Sequence, residues 1–227
     1  MAARSYGQYC GVTTAVELVG ERWALLIIRD LLVGPRRYTD LKQGLRRIPT
    51  NILSTRLKEL QEGGVVRRVP LMNCGLVYEL TPYGRALEPV VLALGRWGFQ
   101  AMGDPEEGDE VTPDSLTMAL RTSFRHDEAQ DLDVELHVGD VVLRVRVRGG
   151  VLDVAQLAPP APPVSGALPE GVAEAVIVAG PGIRLLISGE VSPAEALAQD
   201  LLAVVRGDES VLDGFARTFH IDPVVVA

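Results

Sequence analysis

The sequence predicts a mainly α-helical amino-terminal domain joined to an α+β carboxy-terminal domain, an antiparallel sheet covered by helices. The first half shows helical apolar periodicity and then two short β-rich runs, whereas strands in the second half alternate apolar and polar residues. The formal charge also changes sign. Residues 1–103 carry 14 Lys and Arg against 8 Asp and Glu, and residues 104–227 carry 8 against 22. Charge alone is compatible with two domains that merely differ, or with a basic half that contacts a polyanion.

The composition is that of an ordinary globular protein, with 47% hydrophobic and 23% charged residues in a chain of 227. No apolar run reaches bilayer length, and the first segment, MAARSYGQYCGV, lacks the apolar core of a secretory signal. The two cysteines, Cys10 and Cys74, are too few for a disulfide framework or a self-contained zinc site. We therefore expect a reduced, cytoplasmic protein with no membrane contact, no metal and no cofactor.

Two stretches rich in Pro, Gly and small residues interrupt the periodic segments. The charge boundary coincides with GDPEEGDEVTPD, which predicts a linker at 104–114 between one domain of residues 1–103 and another of residues 115–227. The stretch QLAPPAPPVSGALPEG, at 156–171, is expected to be a long loop within the second domain.

Two helices are expected early in the chain. RWALLIIRDLLVG is apolar on nearly every side, as in a central buried helix, and Gly34 and Pro35 should end it. YTDLKQGLRR is a short helix with Leu41 and Leu45 facing inward.

The segment PTNILSTRLKEL predicts a third helix with one apolar stripe. The stripe residues lie at i, i+4 and i+7: Leu53, Leu57 and Leu60. The other side carries small or charged polar residues: Asn51, Ser54, Thr55 and Lys58. Thr50 is the expected N-cap, and Gly63-Gly64 should end the helix.

A hairpin and a long helix follow. VVRRV and LVYEL are two short strands joined by PLMNCG, which places Arg67 and Arg68 on the hairpin. In LTPYGRALEPVVLALGRWGFQAM, Thr81 is the expected N-cap, Pro82 occupies the first helical position, and Pro89 should kink the helix. A seam spaced 4, 3, 4, 3, 4 runs along it: Tyr83, Leu87, Val90, Leu94, Trp97 and Ala101. Such a seam suits packing within one domain or a dimer contact equally.

The second half predicts a meander. In DLDVELHVGDVVLRVRVRGGVLDV one side is apolar and the other basic, with hairpin turns at Gly139-Asp140 and Gly149-Gly150. The apolar side holds Val141, Leu143, Val145 and Val147, and the basic side holds Arg144, Arg146 and Arg148. AEAVIVAG adds a strand, SPAEALAQ a capped helix, DLLAVVRG a strand and DESVLDGFARTF a closing helix.

The order of elements in the first half is that of a winged helix-turn-helix. An α-helix fits the DNA major groove, where small polar side chains near its amino end approach base edges. The expected base-reading group at this end contains the DNA-binding residues Thr50, Asn51, Ser54 and Thr55. Asn51 is suited to a bidentate contact with adenine, and Ser54 and Thr55 suit either base edges or phosphates. Basic residues around that helix are expected near phosphates. They are Arg36, Arg37, Arg46, Arg47, Arg56, Lys58, Arg67 and Arg68.

Residues 10–98 resemble the HxlR-type branch of the MarR-like transcriptional regulators. The marks of the resemblance are the Gly20–Trp23 step, GPRRYTDL, LSTRLKELQEGGVV, LTPYGRAL and the final RWG. This resemblance implies a homodimer that binds a palindromic operator in double-stranded DNA and is expected to act as a repressor. It also implies that the first and last helices of the domain form the dimer contact, which favours an interface at Tyr83, Leu87, Val90, Leu94 and Trp97.

The resemblance further implies that Cys10 stands where several relatives carry a thiol sensor for oxidants or electrophiles. The alternative is that Cys10 is a small buried hydrophobic residue. Cys74, in the wing turn, is the weaker candidate for a sensor.

The acidic half resembles the sterol-carrier-protein-type fold over most of residues 115–220. The similarity lies in the strand meander and in GIRLLISGEVSPAEALAQDLLAVVRGDESVLDGFARTF. It implies a sheet and helices that enclose an apolar cavity for a hydrophobic small ligand. The alternative is a filled core that serves as a partner surface.

Catalysis and metal binding are not expected. His126, His137 and His220 lack ligand spacing, and nothing pairs a nucleophile with a base. The predicted function is a transcriptional regulator in which a ligand, or oxidation of Cys10, favours one spacing of the reading helices. One rival is a lipid- or acyl-ligand-binding protein whose helical half only dimerises. Another is a small-molecule enzyme built on the acidic half.

Overall fold

The computed structural model describes residues 5–72, 75–157 and 171–222. By its internal contacts the chain divides into two compact units between Val91 and Leu92. The predicted domain limits at 103 and 115 stay a prediction, because contact clustering places the division inside a helix. Among the residues that the structure describes, no helix combines the length and apolarity that crossing a bilayer requires.

The first unit follows the predicted order of helices and hairpin. Its elements are α1 (Gly11–Val19), α2 (Ala24–Val33), α3 (Tyr38–Gly44), α4 (Thr50–Glu62), β1 (Val66–Leu71), β2 (Gly75–Leu80), α5 (Pro82–Arg85) and the start of α6 (Glu88–Phe99). Helix α2 is the central helix, as predicted, and it ends before Gly34. Its buried apolar residues are Ala24, Ile27, Ile28, Leu31 and Leu32.

Helix α4 confirms the predicted apolar stripe but begins differently. Leu53, Leu57 and Leu60 are each at most 1% exposed. The predicted N-cap was wrong: Pro49 occupies that position with no side-chain cap, and Thr50 is already the first helical residue. The pyrrolidine ring of Pro49 and its extended backbone (φ −63°, ψ 143°) preset the chain just before the helix. The first turn of α4 therefore has no capping side chain.

Strands β1 and β2 pair antiparallel as the predicted hairpin, with Arg67 opposite Glu79 and Arg68 opposite Tyr78. The chain then enters α5 through Thr81, whose hydroxyl accepts a hydrogen bond from the Gly84 amide, as predicted for an N-cap. Gly84 lies so close to the hairpin that an added Cβ would come within 2.1 Å of a backbone oxygen. A side chain at this position would therefore push α5 off the hairpin.

The predicted kink at Pro89 takes the form of a break. Helix α5 ends at Arg85, α6 starts at Glu88, and Pro89 lies in the first turn of α6, where its missing N–H costs no intrahelical hydrogen bond. The single long helix expected from the sequence is therefore two helices.

The second unit contains the remainder of α6 and an α+β layer. Its other elements are α7 (Pro113–Ser123), β3 (Leu132–Val138), β4 (Val141–Arg148), β5 (Val151–Gln156), β6 (Ala175–Ala179), α8 (Ile183–Ile187), α9 (Pro193–Ala198), β7 (Leu202–Arg206) and α10 (Val211–Thr218). Helices α7 and α8 were not predicted.

The sheet has the order β5-β4-β3-β6-β7 and is mixed. The prediction of an antiparallel sheet was wrong for one pair, because β6 runs parallel to β3 with Ile177 beside Leu136. A tight hairpin enforces antiparallel pairing, but β5 and β6 are separated by 18 residues of sequence, 157–174, which is long enough to permit a parallel pairing of β6 with β3. Most of the predicted long loop, 158–170, lies outside the described residues.

The apolar face of the sheet packs on helices. Val134, Leu143 and Val145 are fully buried there, together with Phe215 and Phe219 of the closing segment. The rings of these two phenylalanines lie 4.7 Å apart. In the part of the chain that the structure describes, side chains fill this face, as in the filled-core alternative. The expected apolar ligand cavity stays a prediction.

The opposite face of the sheet carries a buried ion pair. Arg144 donates from Nε to Asp133 Oδ1, and Arg146 donates from Nε to Asp133 Oδ2 at 3.0 Å. Burial alone would raise the pKa of the Asp133 carboxyl, but the hydrogen bonds from the two arginines outweigh it and hold the pKa below its usual value.

We expect the Asp133→Asn variant to lose about 2–4 kcal/mol of stability at neutral pH, because a buried arginine loses its charged partner. The Asp133 pKa is lower in the folded protein than in the unfolded chain. The stability that the Asp133 carboxylate contributes is therefore complete above the unfolded pKa and is lost as pH falls through the folded pKa. The wild-type urea midpoint should therefore drop on acidification below about pH 4, and that of the variant should drop less. Asp140→Asn, in the exposed β3–β4 turn, is the control. Equal acid limbs for all three proteins would refute this assignment.

Candidate nucleic-acid interface

Helices α3 and α4 form the helix-turn-helix, and their buried leucines fix which side of α4 faces out. The residues that pack beneath the two helices are Leu41, Leu45, Ile48, Leu53 and Leu57. As a result Thr50, Asn51, Ser54 and Lys58 are exposed, and Thr55 is half-buried. The predicted base-reading group therefore lies together at the amino end and outer side of one helix.

The hydroxyl groups of this outer side are turned back onto the helix. Ser54 Oγ lies 3.1 Å from the Thr50 carbonyl oxygen, and Thr55 Oγ1 donates to the Asn51 carbonyl at 2.9 Å. Among the described residues the Asn51 amide makes no side-chain hydrogen bond, so its donor and acceptor are both available to a base edge. Asn51 therefore has the chemistry for a bidentate contact, whereas the Thr55 hydroxyl offers mainly an acceptor oxygen.

Tyr38 is a residue of this site that the sequence reasoning missed. As the first residue of α3, it places its hydroxyl 2.9 Å from the Thr50 carbonyl and 3.2 Å from Ser54 Oγ. The spacing of apolar residues could not have found it, because the contact depends on how the two helices pack. Tyr38 thus links α3 directly to the first turn of α4.

Most of the predicted basic rim lies on the surface. Arg37, Arg46 and Arg47 are exposed before and after α3, and Lys58 is 75% exposed on α4 with Glu62 3.7 Å away. These exposed cations lie just before α3, just after it and on α4.

The two hairpin arginines already have partners. Arg67 is bound to Glu79 at 2.6 Å, and the Arg68 guanidinium lies 5.7 Å from the centre of the Tyr78 ring. Both side chains remain exposed, so a phosphate would compete with a carboxylate at one and with a ring face at the other.

Arg36 does not lie where a phosphate contact requires it. It is 3% exposed, and its backbone exchanges hydrogen bonds of 3.0 and 2.7 Å with Tyr78 as a third strand segment beside the hairpin. Its Nη1 donates to the Pro35 carbonyl. The prediction that Arg36 contacts a DNA phosphate is therefore corrected, because the backbone pairing with Tyr78 turns its side chain inward.

Arg56 is likewise an anchor within the fold. Its side chain is 14% exposed and is bound to Glu59 on the same helix and to Glu21, 3.1 Å away, just before α2. Adjacent charges in the sequence did not reveal this pairing, because Glu21 lies 35 positions earlier. The expected DNA contact of Arg56 is corrected, and the ion pairs instead hold α4 against the turn between α1 and α2.

The residues of the predicted seam are mostly exposed, on α5 and on α6. The large exposed side chains on it are Tyr83, Val90, Leu94 and Trp97, and Leu87 is half-buried. Trp97 is 79% exposed. Helix α1 and the residues before it expose a second apolar set: Tyr6, Tyr9, Val12 and Val16. Neither set is covered within the described part of the chain.

Cys10 is an exposed free thiol at the start of α1. The backbone amide of Thr13, then that of Val12 and the Thr13 side chain, lower the pKa of this thiol from its usual value. The alternative of a small buried hydrophobic residue does not hold, because Cys10 is exposed. Cys74 lies outside the described residues.

The second unit has a polar groove of about 320 Å³. Its acidic residues are Asp131, Glu174 and Asp208, beside the apolar Leu132 and Val211. The lining does not have the apolar character expected for a lipid-like ligand.

Comparisons with known proteins point to one family. A model described as HxlR-like helix-turn-helix matches residues 18–106. An uncharacterised HTH-type transcriptional regulator of Mycobacterium tuberculosis is 42% identical over 97 residues, which cover 42% of this chain and 61% of that protein. The chain therefore spans less than two thirds of that relative. YvaP of Bacillus subtilis, another uncharacterised HTH-type transcriptional regulator, is 36% identical over 88 residues, which cover 38% of this chain and 82% of YvaP.

Solved structures match the chain as well. The reduced form of the transcriptional regulator YodB from B. subtilis is 31% identical, with 44% of this chain and all of that chain covered and a TM-score of 0.37.

Because backbone amides stabilise the Cys10 thiolate, we expect Cys10 to be alkylated at lower pH in the folded protein than in the denatured chain. The measurement is the iodoacetamide rate from about pH 6 to about pH 10, followed by mass spectrometry in a Cys74→Ser background. The Thr13→Val variant, which keeps the backbone amide, should move the profile only slightly. Identical profiles for the folded and denatured protein would contradict the expectation.

Proposed function

Because the chain belongs to the HxlR-like helix-turn-helix family, we propose that it is a homodimeric transcriptional regulator that binds DNA in a sequence-specific way. The observation that carries the proposal is the exposed outer side of α4, where the Asn51 amide makes no side-chain hydrogen bond within the described residues, in a domain that exposes cations at both ends of α3 and on α4. The names of the relatives as HTH-type transcriptional regulators support the same function.

In this proposal α4 enters the major groove and Asn51 reads a base. The exposed cations around α4 and on the hairpin bind phosphates, which fixes the orientation of the helix without specifying sequence. Arg37, Arg46, Arg47 and Lys58 flank the helix, and Arg67 and Arg68 form the hairpin contact. Sequence selection then depends on a few side chains and affinity on many.

The proposed dimer buries the apolar faces of α6 and α1 against a second copy. Val90, Leu94 and Trp97 lie on one face of α6 and are all exposed in the single chain, which is an unfavourable state for large apolar side chains in water. Twofold symmetry places two copies of α4 about one helical turn of DNA apart, so the operator is expected to be palindromic. In this proposal the protein represses transcription while it occupies such an operator.

The second unit is proposed as the sensing half. In the proposed dimer, the two α4 helices have a different spacing in each of two conformations. A small ligand or a partner that binds one conformation more tightly would change DNA affinity by the difference between its two binding free energies. Oxidation of Cys10, exposed at the start of α1, is a second proposed input.

The DNA proposal is tested by salt dependence and by removing the hairpin cations. We expect wild-type affinity for a selected duplex to fall steeply between low and moderate salt, because bound phosphates release counterions. The Arg67→Ala/Arg68→Ala variant should bind all duplexes more weakly and flatten the log–log salt slope by about one unit per lost phosphate contact. Arg148→Ala, an exposed arginine of the second unit paired with Glu174, is the matched control. A full-length protein that binds no duplex at low salt would favour the rival lipid- or acyl-ligand-binding protein.

Base reading is tested separately at Asn51. The Asn51→Ala variant should lose about 1–3 kcal/mol of discrimination at one base position while its affinity for unrelated duplexes stays unchanged. The measurement is selection from a pool of duplexes with a randomised centre, followed by titration. An unaltered base preference would remove Asn51 from the reading group.

The dimer is tested by native mass spectrometry. We expect the wild type at twice the chain mass of 24.4 kDa and the Leu94→Glu variant as a monomer, because a carboxylate would be buried in the apolar interface. Val151→Glu, which also replaces an exposed apolar residue, should remain dimeric. The same spectra reveal any co-purified ligand. A monomeric wild type, or a dimeric Leu94→Glu variant, would argue against this interface.

A further inference from the structure

We propose that the Tyr38 hydroxyl sets the base preference of α4 by deciding whether Ser54 offers DNA a hydrogen-bond donor. Tyr38 is a positioning residue in this scheme and acts through Ser54. The inference rests on the proposed DNA-binding function and adds a specificity determinant to it.

The geometry joins the two helices of the helix-turn-helix through one side chain. Tyr38 begins α3, and its hydroxyl reaches the Thr50 carbonyl, 2.9 Å away, in the first turn of α4. Its distance to Ser54 Oγ is 3.2 Å, and either oxygen could donate. Ser54 Oγ is itself 3.1 Å from the Thr50 carbonyl. Three polar atoms thus form a closed triangle at the exposed amino end of the reading helix.

The Thr50 carbonyl cannot accept the protons of both hydroxyls. A carbonyl oxygen has two lone pairs, and within an α-helix the Thr50 carbonyl already accepts from the amide four residues later. The hydroxyls of Tyr38 and Ser54 therefore compete for one remaining lone pair. When Tyr38 donates to the Thr50 carbonyl, Ser54 is free to turn its proton outward.

The free proton determines which base edge Ser54 can read. A hydroxyl that donates outward matches acceptor edges in the major groove, such as guanine O6 and N7 or thymine O4. A hydroxyl whose proton is held by its own helix matches the amino groups of adenine and cytosine instead. With phenylalanine at position 38, the Ser54 proton would return to the Thr50 carbonyl.

Thr55 provides a comparison within the same helix. Its hydroxyl donates to the Asn51 carbonyl at 2.9 Å, and no tyrosine hydroxyl contacts it within the described residues. Thr55 therefore represents the state that Ser54 would adopt without Tyr38.

The experiment compares Tyr38→Phe, Ser54→Ala and the double variant by duplex selection and titration against the wild type. Tyr38→Phe should lose about three- to tenfold of discrimination at one base position, the size expected for one hydrogen bond, and should shift the preference there toward adenine or cytosine. Ser54→Ala should lose discrimination at the same position. In the Ser54→Ala background, Tyr38→Phe should have no further effect. Ser210→Ala, which removes an exposed hydroxyl from the second unit, is the control.

Each outcome has a definite reading. Unchanged selectivity in Tyr38→Phe, or a loss that adds to that of Ser54→Ala, overturns the role of Tyr38 while DNA binding stands. A wild type that binds no duplex overturns the proposed function and this inference together. Thermal unfolding of each variant identifies any loss of folding. If Tyr38→Phe is misfolded, its selectivity change supports the proposal only when a correctly folded Ser54→Ala variant shows the same change at the same base position. Without that agreement, the result counts against the proposal.

Discussion

The burial of one leucine stripe governs the amino-terminal unit. Leu53, Leu57 and Leu60 are almost completely removed from water, and each is worth roughly 1.5–3 kcal/mol of burial free energy. Rotating α4 to expose any of them would cost more than a surface hydrogen bond returns. The side of the helix that carries Asn51 is therefore fixed outward by the packing of the apolar side alone.

Periodicity in the sequence was sufficient to predict the elements that depend on this packing. The spacing of leucines predicted α4, the pair Gly63-Gly64 predicted where it ends, and Thr81 with Pro82 predicted where α5 begins. The corrections concern tertiary geometry instead. Arg36 is turned inward by backbone pairing with Tyr78, and Arg56 is held by carboxylates distant in sequence, so the charge of either residue alone could not reveal its place. The Tyr38 hydroxyl was missed for the same reason, since a contact between two helices has no local signature.

In the second unit, too, the local sequence pattern predicted the strands, whereas contacts between residues distant in sequence could not be predicted from it. Alternation correctly predicted which side of β4 is apolar, and the hairpin turns at Gly139 and Gly149 have the positive φ that such turns require. The direction of β6 depended on its pairing with β3, a strand distant in sequence, which alternation does not encode. The basic side of β4 is also more than a solvated face, because Arg144 and Arg146 converge on the buried carboxylate of Asp133.

Gly84 and the outer side of α4 place opposite constraints on how this protein can diverge. Backbone atoms crowd Gly84 so closely that no side chain fits, whereas the residues around Asn51 touch mainly solvent and can be exchanged without disturbing the interior. Under the proposed function, descendants of such a chain could acquire new target sites through a few surface substitutions while the scaffold stays intact. Evolution of recognition is thereby separated from evolution of the fold.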